Sequence, residues 1–192
     1  MKIFHVIPKI KHGGAENAAF SSIERLNVNN DFRLLALEKG KSLPCEHEQF
    51  IKCFNSSILN PLLYIRFLVF ILKEKPDVVI FSLWKSSVCG LILCLFKPWL
   101  KLKKVVIIHS SRFAHFADKI VSKTAIKNFD RVYCDSNATR QFVRLHTNVS
   151  GETISFISRR VKRKKYFSPS LDNISFVYVG RVNKVKNIDA AI

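Results

Sequence analysis

The sequence predicts an α/β fold: a Rossmann-like, mostly parallel sheet with helices on both faces. Three observations point to it. Apolar runs of strand length recur along the chain and alternate with stretches long enough for helices, the pattern of a parallel sheet covered on both sides. The first run leads through two adjacent glycines into an alanine-rich segment, the order strand, tight loop, helix. Finally, 192 residues with 48% hydrophobic content can bury one good core.

The first element is "KIFHVI", residues 2–7, whose Ile3, Phe4, Val6 and Ile7 suit a buried strand that Pro8 is expected to end. Gly13 and Gly14 follow. Beyond them Ala15, Ala18, Ala19, Ile23 and Leu26 recur at helical spacing, and Glu16 falls in the first turn, where a carboxylate suits the positive helix end. Two readings fit the bare glycines. They allow either a tight turn with close packing, or the approach of an anionic group to the free amides of the helix start. The spacing is not a full G-x-G-x-x-G fingerprint.

Further strands are predicted at "DVVIFSL" (77–83), "KVVII" (104–108), "RVYC" (131–134), "ISFI" (154–157) and "FVYV" (176–179). His109 and Ser110 come at the carboxyl end of the 104–108 run, the edge where open α/β sheets place their ligands, although an isolated histidine also suits a core. Asp135 and Ser136 follow the next run at the start of a predicted helix, where Ser136 can act as a cap worth about 1 kcal/mol. Near the end Arg181 directly follows the strand-ending Gly180, with Lys186 five positions on. No internal repeat or low-complexity segment is apparent.

The formal net charge of +18 admits nucleic acid, an anionic membrane surface or phosphorylated substrates as partners. The densest cluster, "RRVKRKK" at 159–165, reads as a solvated linker or a docking stretch. No helix-turn-helix, zinc-finger or RNA-recognition signature accompanies it, so no nucleic-acid partner is expected. Residues 58–75 and 88–104 are strongly apolar with basic edges, but Arg66 interrupts the first and Lys97 with Pro98 the second, short of the roughly 18–20 uncharged residues of a span. They suit core helices, or surfaces lying against anionic headgroups.

Five cysteines without a C-x-x-C pair read as reduced thiols of a cytoplasmic protein, and "MKIFHVI" runs straight into strand pattern rather than a signal peptide. No spacing of histidine and cysteine suggests a metal site.

In their shared order, the "GGAE" loop after an N-terminal strand, "PDVVIFSL", "VVIIHSS", "DRVYCDSNATR" and "FVYVGRVNKVKNIDAAI" resemble the family-4 glycosyltransferases of the two-domain GT-B fold. The likeness is strongest to bacterial enzymes that build lipopolysaccharide or other surface glycans. It implies an acceptor-side domain over residues 1–170 and the start of a donor-binding domain over 171–192. It implies a nucleotide-sugar donor, a glycan or glycolipid acceptor, retention of configuration, and no metal or cofactor. By the same resemblance Gly13 and Gly14 admit donor phosphates or the transferred sugar, and His109 corresponds to a histidine near that sugar. Arg181 and Lys186 correspond to a basic pair gripping the diphosphate, and Glu16, Ser110 and Ser136 fall on the acceptor side. Such a pair suits the chemistry, since fixed positive charge on the departing phosphate oxygens is what the reaction requires.

The chain departs from the pattern in three places. "ISRRVKRKKYF" stands where the family commonly carries an Asn-Gly pair, Asn187 follows Lys186 in place of the usual glycine, and the family's paired-glutamate motif does not occur within these 192 residues. The expectation is therefore a truncated chain, inactive alone and resting peripherally on the inner face of the cytoplasmic membrane. The competing expectation is a non-catalytic basic module that holds an anionic glycolipid or membrane surface.

Overall fold

Strand β1 (Lys2–Lys9) is buried along nearly its whole length. A strand sheltered on both faces needs a neighbour on each edge and cover above and below, which places it inside the sheet rather than at its border. The computed structural model describes residues 1–11, 13–38, 40, 45–96 and 100–155, all within the compact unit Met1–Ser158. There β1 lies third in a seven-stranded sheet of order β3-β2-β1-β4-β5-β6-β7. The other strands are β2 (Asp31–Glu38), β3 (Ile51–Cys53), β4 (Val78–Ser82), β5 (Lys103–Ile108), β6 (Arg131–Cys134) and β7 (Glu152–Thr153), and every pairing is parallel. Helices α1 (Gly14–Leu26), α2 (Pro61–Glu74), α3 (Trp84–Leu95), α4 (Phe116–Asn128) and α5 (Asn137–Thr147) connect them, with a 3-10 turn at Cys45–Phe50. The Rossmann-like α/β fold expected from the sequence is the one observed.

Alternation along β1 divides the core in two. Phe4 and Val6 join Leu63, Phe67 and Ile71 of α2, Cys89 and Leu93 of α3, Ala125 and Ile126 of α4 and Val143 of α5. Ile3 and Ile7 join Ala19 and Ile23 of α1 together with Phe32, Leu34 and Ala36 of β2. Each fully buried side chain of this size is worth about 1.5–3 kcal/mol.

Local chemistry sets the helix ends. Asn60 caps α2, its Oδ1 accepting from the Leu62 N–H at 3.0 Å, Pro61 occupies the first helical turn, and Lys75 closes the helix in the left-handed conformation at φ 47°. At α4 the Asp118 N–H donates to His115 Nδ1 at 3.2 Å while the Asp118 carboxylate accepts from the Ala114 N–H at 2.7 Å, a reciprocal cap.

Three sequence expectations change. The first strand does not stop at Pro8 but continues to Lys9. Its pairing with β4 ends at Val6, so beyond that point only β2 remains as a neighbour, and a residue without an N–H is tolerated where one edge is unpaired. Of the strand expected at 154–157 only 154 and 155 are among the described residues; the strand described there is the short β7, which pairs with β6, and the Ile154 N–H donates to the Cys134 carbonyl at 2.9 Å. Finally, β2 and β3 were not predicted. The strand expected at 176–179 lies outside the described residues.

Candidate active site

The chain runs from β1 outward to β2 on one side and later returns to β4 on the other. That reversal between β1 and β4 leaves a crevice at the carboxyl ends of the strands, the usual ligand position in an open α/β sheet. A cleft of about 420 Å³ opens at this rim, lined by Lys9 at the end of β1 and Lys11 after it, Glu16 of α1, Trp84 and Lys85 of α3, His109 and Ser110 after β5, and Arg112, Phe113 and Asp118 around the start of α4.

The glycine loop borders this cleft through Lys11 and Glu16. Gly13 is the residue before α1, in extended backbone that any residue adopts. What keeps it bare is local, for a Cβ there would collide with the carboxylate of Glu16, which folds back from the first turn and is buried. Lys11 Nζ stands 3.9 Å from that carboxylate. Gly14 is different. It is exposed, and a Cβ on it would meet nothing within 4 Å. Neither glycine has a positive φ.

At the centre of the rim, side chains from β1, β4 and the residue after β5 form a hydrogen-bonded series. His5 Nε2 lies 2.8 Å from Ser82 Oγ, and His109 Nε2 lies 3.1 Å from the same oxygen. Beyond these hydrogen bonds, Asp135 Oδ2 stands 4.0 Å from His109 Nδ1, close enough for electrostatic attraction. Ser82 has one hydroxyl proton, so it donates to one imidazole and accepts from the other. Asp135 on the far side of His109 favours a proton on Nδ1, and which ring donates to Ser82 Oγ follows from the tautomers of the two histidines. Burial pushes His5 down to about 3, with His109 adding a smaller push in the same direction. His109 is also lowered, by burial first, with Asp135 pulling the other way. Both rings are thus neutral at neutral pH.

Leu83, directly after Ser82, has φ 71° and ψ 150°, a conformation that costs a non-glycine residue roughly 1–3 kcal/mol. Its carbonyl accepts from the hydroxyls of Ser86 at 2.9 Å and Ser87 at 3.2 Å. The strain therefore sits beside the histidine series and on the cleft wall.

Of the residues singled out in the sequence, Glu16, His109 and Ser110 meet at one cleft, with Gly13 and Gly14 at its border. Ser110 accepts from the Arg112 N–H at 3.3 Å. Ser136 is not on the cleft wall; its Oγ accepts from the Thr139 N–H at 3.2 Å and caps α5. Arg181 and Lys186 lie outside the described residues. Sequence reasoning missed His5, Ser82, Lys85 and Arg112. The available signal was position, since Ser82 falls near the carboxyl end of the apolar run 77–83, on the rim where ligands gather. No group of three or more potential metal ligands occurs among the described residues.

A parallel sheet in this order, with a carboxyl-edge cleft bordered by the glycine loop and lined by His109, matches the N-terminal domain of GT-B glycosyltransferases. The model of Glycosyltransferase Family 4 matches residues 12–163, and the chain belongs to that family. Comparison of the sequence with curated proteins finds no match. Among solved structures, Anabaena Alr3699/HepE in complex with UDP-glucose is similar over 81% of this chain and 43% of its own, at 18% identity and TM-score 0.66. Sucrose-phosphate synthase of Thermosynechococcus elongatus is similar over 81% of this chain and 47% of its own, at 13% identity and TM-score 0.59. UDP-N-acetylglucosamine 2-epimerase of Rickettsia bellii is similar at 11% identity and TM-score 0.50, over 76% and 41%. The chain spans less than half the length of each of these three proteins. At such identities the likeness is one of fold, and one fold serves both transfer and epimerisation.

Proposed function

We propose that this chain forms the acceptor-side domain of a retaining, metal-independent glycosyltransferase of bacterial surface polysaccharide or lipopolysaccharide synthesis. The donor is a nucleoside-diphosphate sugar and the acceptor a glycan or glycolipid. The observation that carries this reading is the cleft itself, in which the start of α1 and a neutral His109 face the same space at the switch point of the sheet.

In this reaction the bond between the anomeric carbon and the phosphate oxygen breaks, and its electron pair leaves with the diphosphate. An acceptor hydroxyl attacks the same face of the sugar and passes its proton to the departing oxygen. The sugar carries positive character at that moment, so a neutral imidazole offers polar contact without repelling it, whereas an imidazolium would raise the barrier. Burial of the ring supports this neutral form of His109. Arg181 and Lys186 take the leaving diphosphate, and transfer is expected only together with a donor-binding domain. Gly14 remains bare so that the donor can reach the amides of α1.

Titration of isotopically labelled chain with UDP-glucose, the ligand named for HepE, in the presence of an unlabelled donor-binding domain from the family, tests this reading by amide and imidazole shifts. Changes are expected at Gly13, Gly14, His109 and Ser110. Gly14→Ala should weaken them while leaving stability unchanged or slightly raised, since the space for a methyl is open. No response at Gly14 and His109 up to millimolar ligand would overturn the assignment.

A further inference from the structure

We propose that the outward face of α2 is a docking surface for an anionic lipid bilayer. Leu62, Ile65, Val69 and Leu72 are 53%, 58%, 57% and 43% exposed, which is high for large apolar side chains within one helix. Their spacing of three, four and three residues sets them in a single stripe on the face opposite the buried Leu63, Phe67 and Ile71. The stripe spans about 15 Å at ~1.5 Å per residue. Leu59, 88% exposed, extends it into the preceding turn. Monomeric soluble surfaces scatter such residues singly, and a continuous row marks something that covers it.

Charge identifies what covers it. The exposed ionic side chains of α2 and its cap are Arg66, Lys73 and Lys75, all cationic. The acidic residue of the helix, Glu74, turns away to Lys2 at 2.6 Å and Arg33 at 3.3 Å. A second copy docked through this stripe would bring Arg66 and Lys73 of each chain toward those of the other, against like charge. Anionic headgroups instead receive these cations while the four apolar side chains enter the boundary of the acyl region. The chain's net charge of +18 adds long-range attraction of the same sign. No helix among the described residues is long and apolar enough to cross a membrane, so α2 lies on the surface. Its first residues follow the carboxyl end of β3, on the same rim as the cleft. Docking there would bring a lipid-borne acceptor toward His109, a consequence that rests on the glycosyltransferase reading, whereas the docking itself does not.

Co-sedimentation of the purified chain with vesicles tests the surface, comparing phosphatidylcholine alone with phosphatidylcholine plus phosphatidylglycerol. Binding is expected only to the anionic vesicles and should weaken with salt. Ile65→Ser combined with Val69→Ser should raise the lipid concentration for half binding at least about tenfold. Arg66→Gln and Lys73→Gln should each raise it about fivefold. Leu145→Ser, at a still more exposed apolar site on α5, should change nothing. Circular dichroism confirms that each variant is folded.

Wild-type chain that ignores anionic vesicles, an Ile65→Ser/Val69→Ser variant that binds like wild type, or a Leu145→Ser variant that loses as much would overturn the proposal. So would a wild-type dimer that the Ile65→Ser/Val69→Ser pair dissociates, since a second copy would then be the occupant. Vesicle binding needs no UDP-glucose, so failure here leaves the reading of the cleft standing, and failure of the UDP-glucose titration leaves this surface standing.

Discussion

The two rims of the sheet handle charge in opposite ways. At the amino rim Lys2 Nζ meets Glu74 Oε2 at 2.6 Å, Arg33 reaches the same oxygen at 3.3 Å, and the Lys2 N–H donates to Asp77 Oδ2 at 2.7 Å. These groups keep their charges and remain in partial contact with water. At the carboxyl rim His5 and Ser82 are buried, His109 is mostly buried on the cleft wall, and the two histidines lose their charge instead. Paired surface charges can be removed at small cost because water replaces the lost partner. A buried neutral series has no such substitute, so disturbing one member leaves the others stranded. A strained Leu83 beside the series marks the carboxyl rim as the one shaped for more than stability.

The largest effect should come from Ser82→Ala. The hydroxyl of Ser82 serves both His5 and His109, and its loss leaves two sheltered imidazole nitrogens without that partner. Each such group costs about 1–3 kcal/mol, so urea unfolding should show a loss of about 2–4 kcal/mol. The nitrogen shifts of His109 should also move as its preference for the Nδ1–H form relaxes. A loss below about 1 kcal/mol with unchanged ring shifts would show that the series does not hold the rim.

Acid should come next. In the unfolded chain His5 takes up a proton near its ordinary value of 6.5, while in the folded chain it does so only at about 3. Between these values the unfolded state binds more protons, so stability present above pH 6.5 is lost as pH falls, at up to about 1.4 kcal/mol per pH unit. From pH 6.5 to pH 5 the loss should approach about 2 kcal/mol. His109 is lowered in the same sense and adds to it. Urea midpoints measured across that interval check the slope, and His5→Gln should flatten it. An unchanged slope in that variant would place the acid sensitivity elsewhere.

These two rims also differ in how far the sequence disclosed them. Strands β1, β4, β5 and β6 were legible because Val and Ile runs of strand length leave little alternative. Strand β2 was not: "RLLAL" is continuous rather than alternating since both its faces are buried, and Leu and Ala favour helix at least as well. The cleft was half legible. His109 and the glycine loop stood out, but the pairing of His5 with Ser82 joins residues 77 positions apart and exists only once β1 and β4 lie side by side. The glycines were read together, yet they differ in space. Gly13 answers to the carboxylate of Glu16, a contact within three residues that no pattern of glycines reveals, whereas nothing in the fold demands Gly14.

That difference yields a smaller, paired prediction. Gly13→Ala must displace the buried Glu16 carboxylate from its place and should cost about 1–2 kcal/mol in thermal or urea unfolding. Gly14→Ala, in the first turn of α1, should be neutral or stabilising by up to about 1 kcal/mol, because alanine is the better helix former. Equal losses at both positions would mean that Glu16 does not fold back over Gly13.

The amino rim should give the smallest effect. Glu74→Gln keeps the side chain's shape and one oxygen for Lys2 while deleting the charge shared with Arg33. Lys2 chiefly, by its hydrogen bond, holds the Glu74 carboxyl below its usual range, so the charge contributes stability above that range and loses it as pH falls through the lowered value. Because the cations stay hydrated when the carboxylate is gone, the loss should be about 0.5–1 kcal/mol and should shrink in high salt. A loss as large as that of Ser82→Ala, or one indifferent to salt, would mean that the amino rim is sealed from water as the carboxyl rim is, and the contrast between pairing and burial would fail.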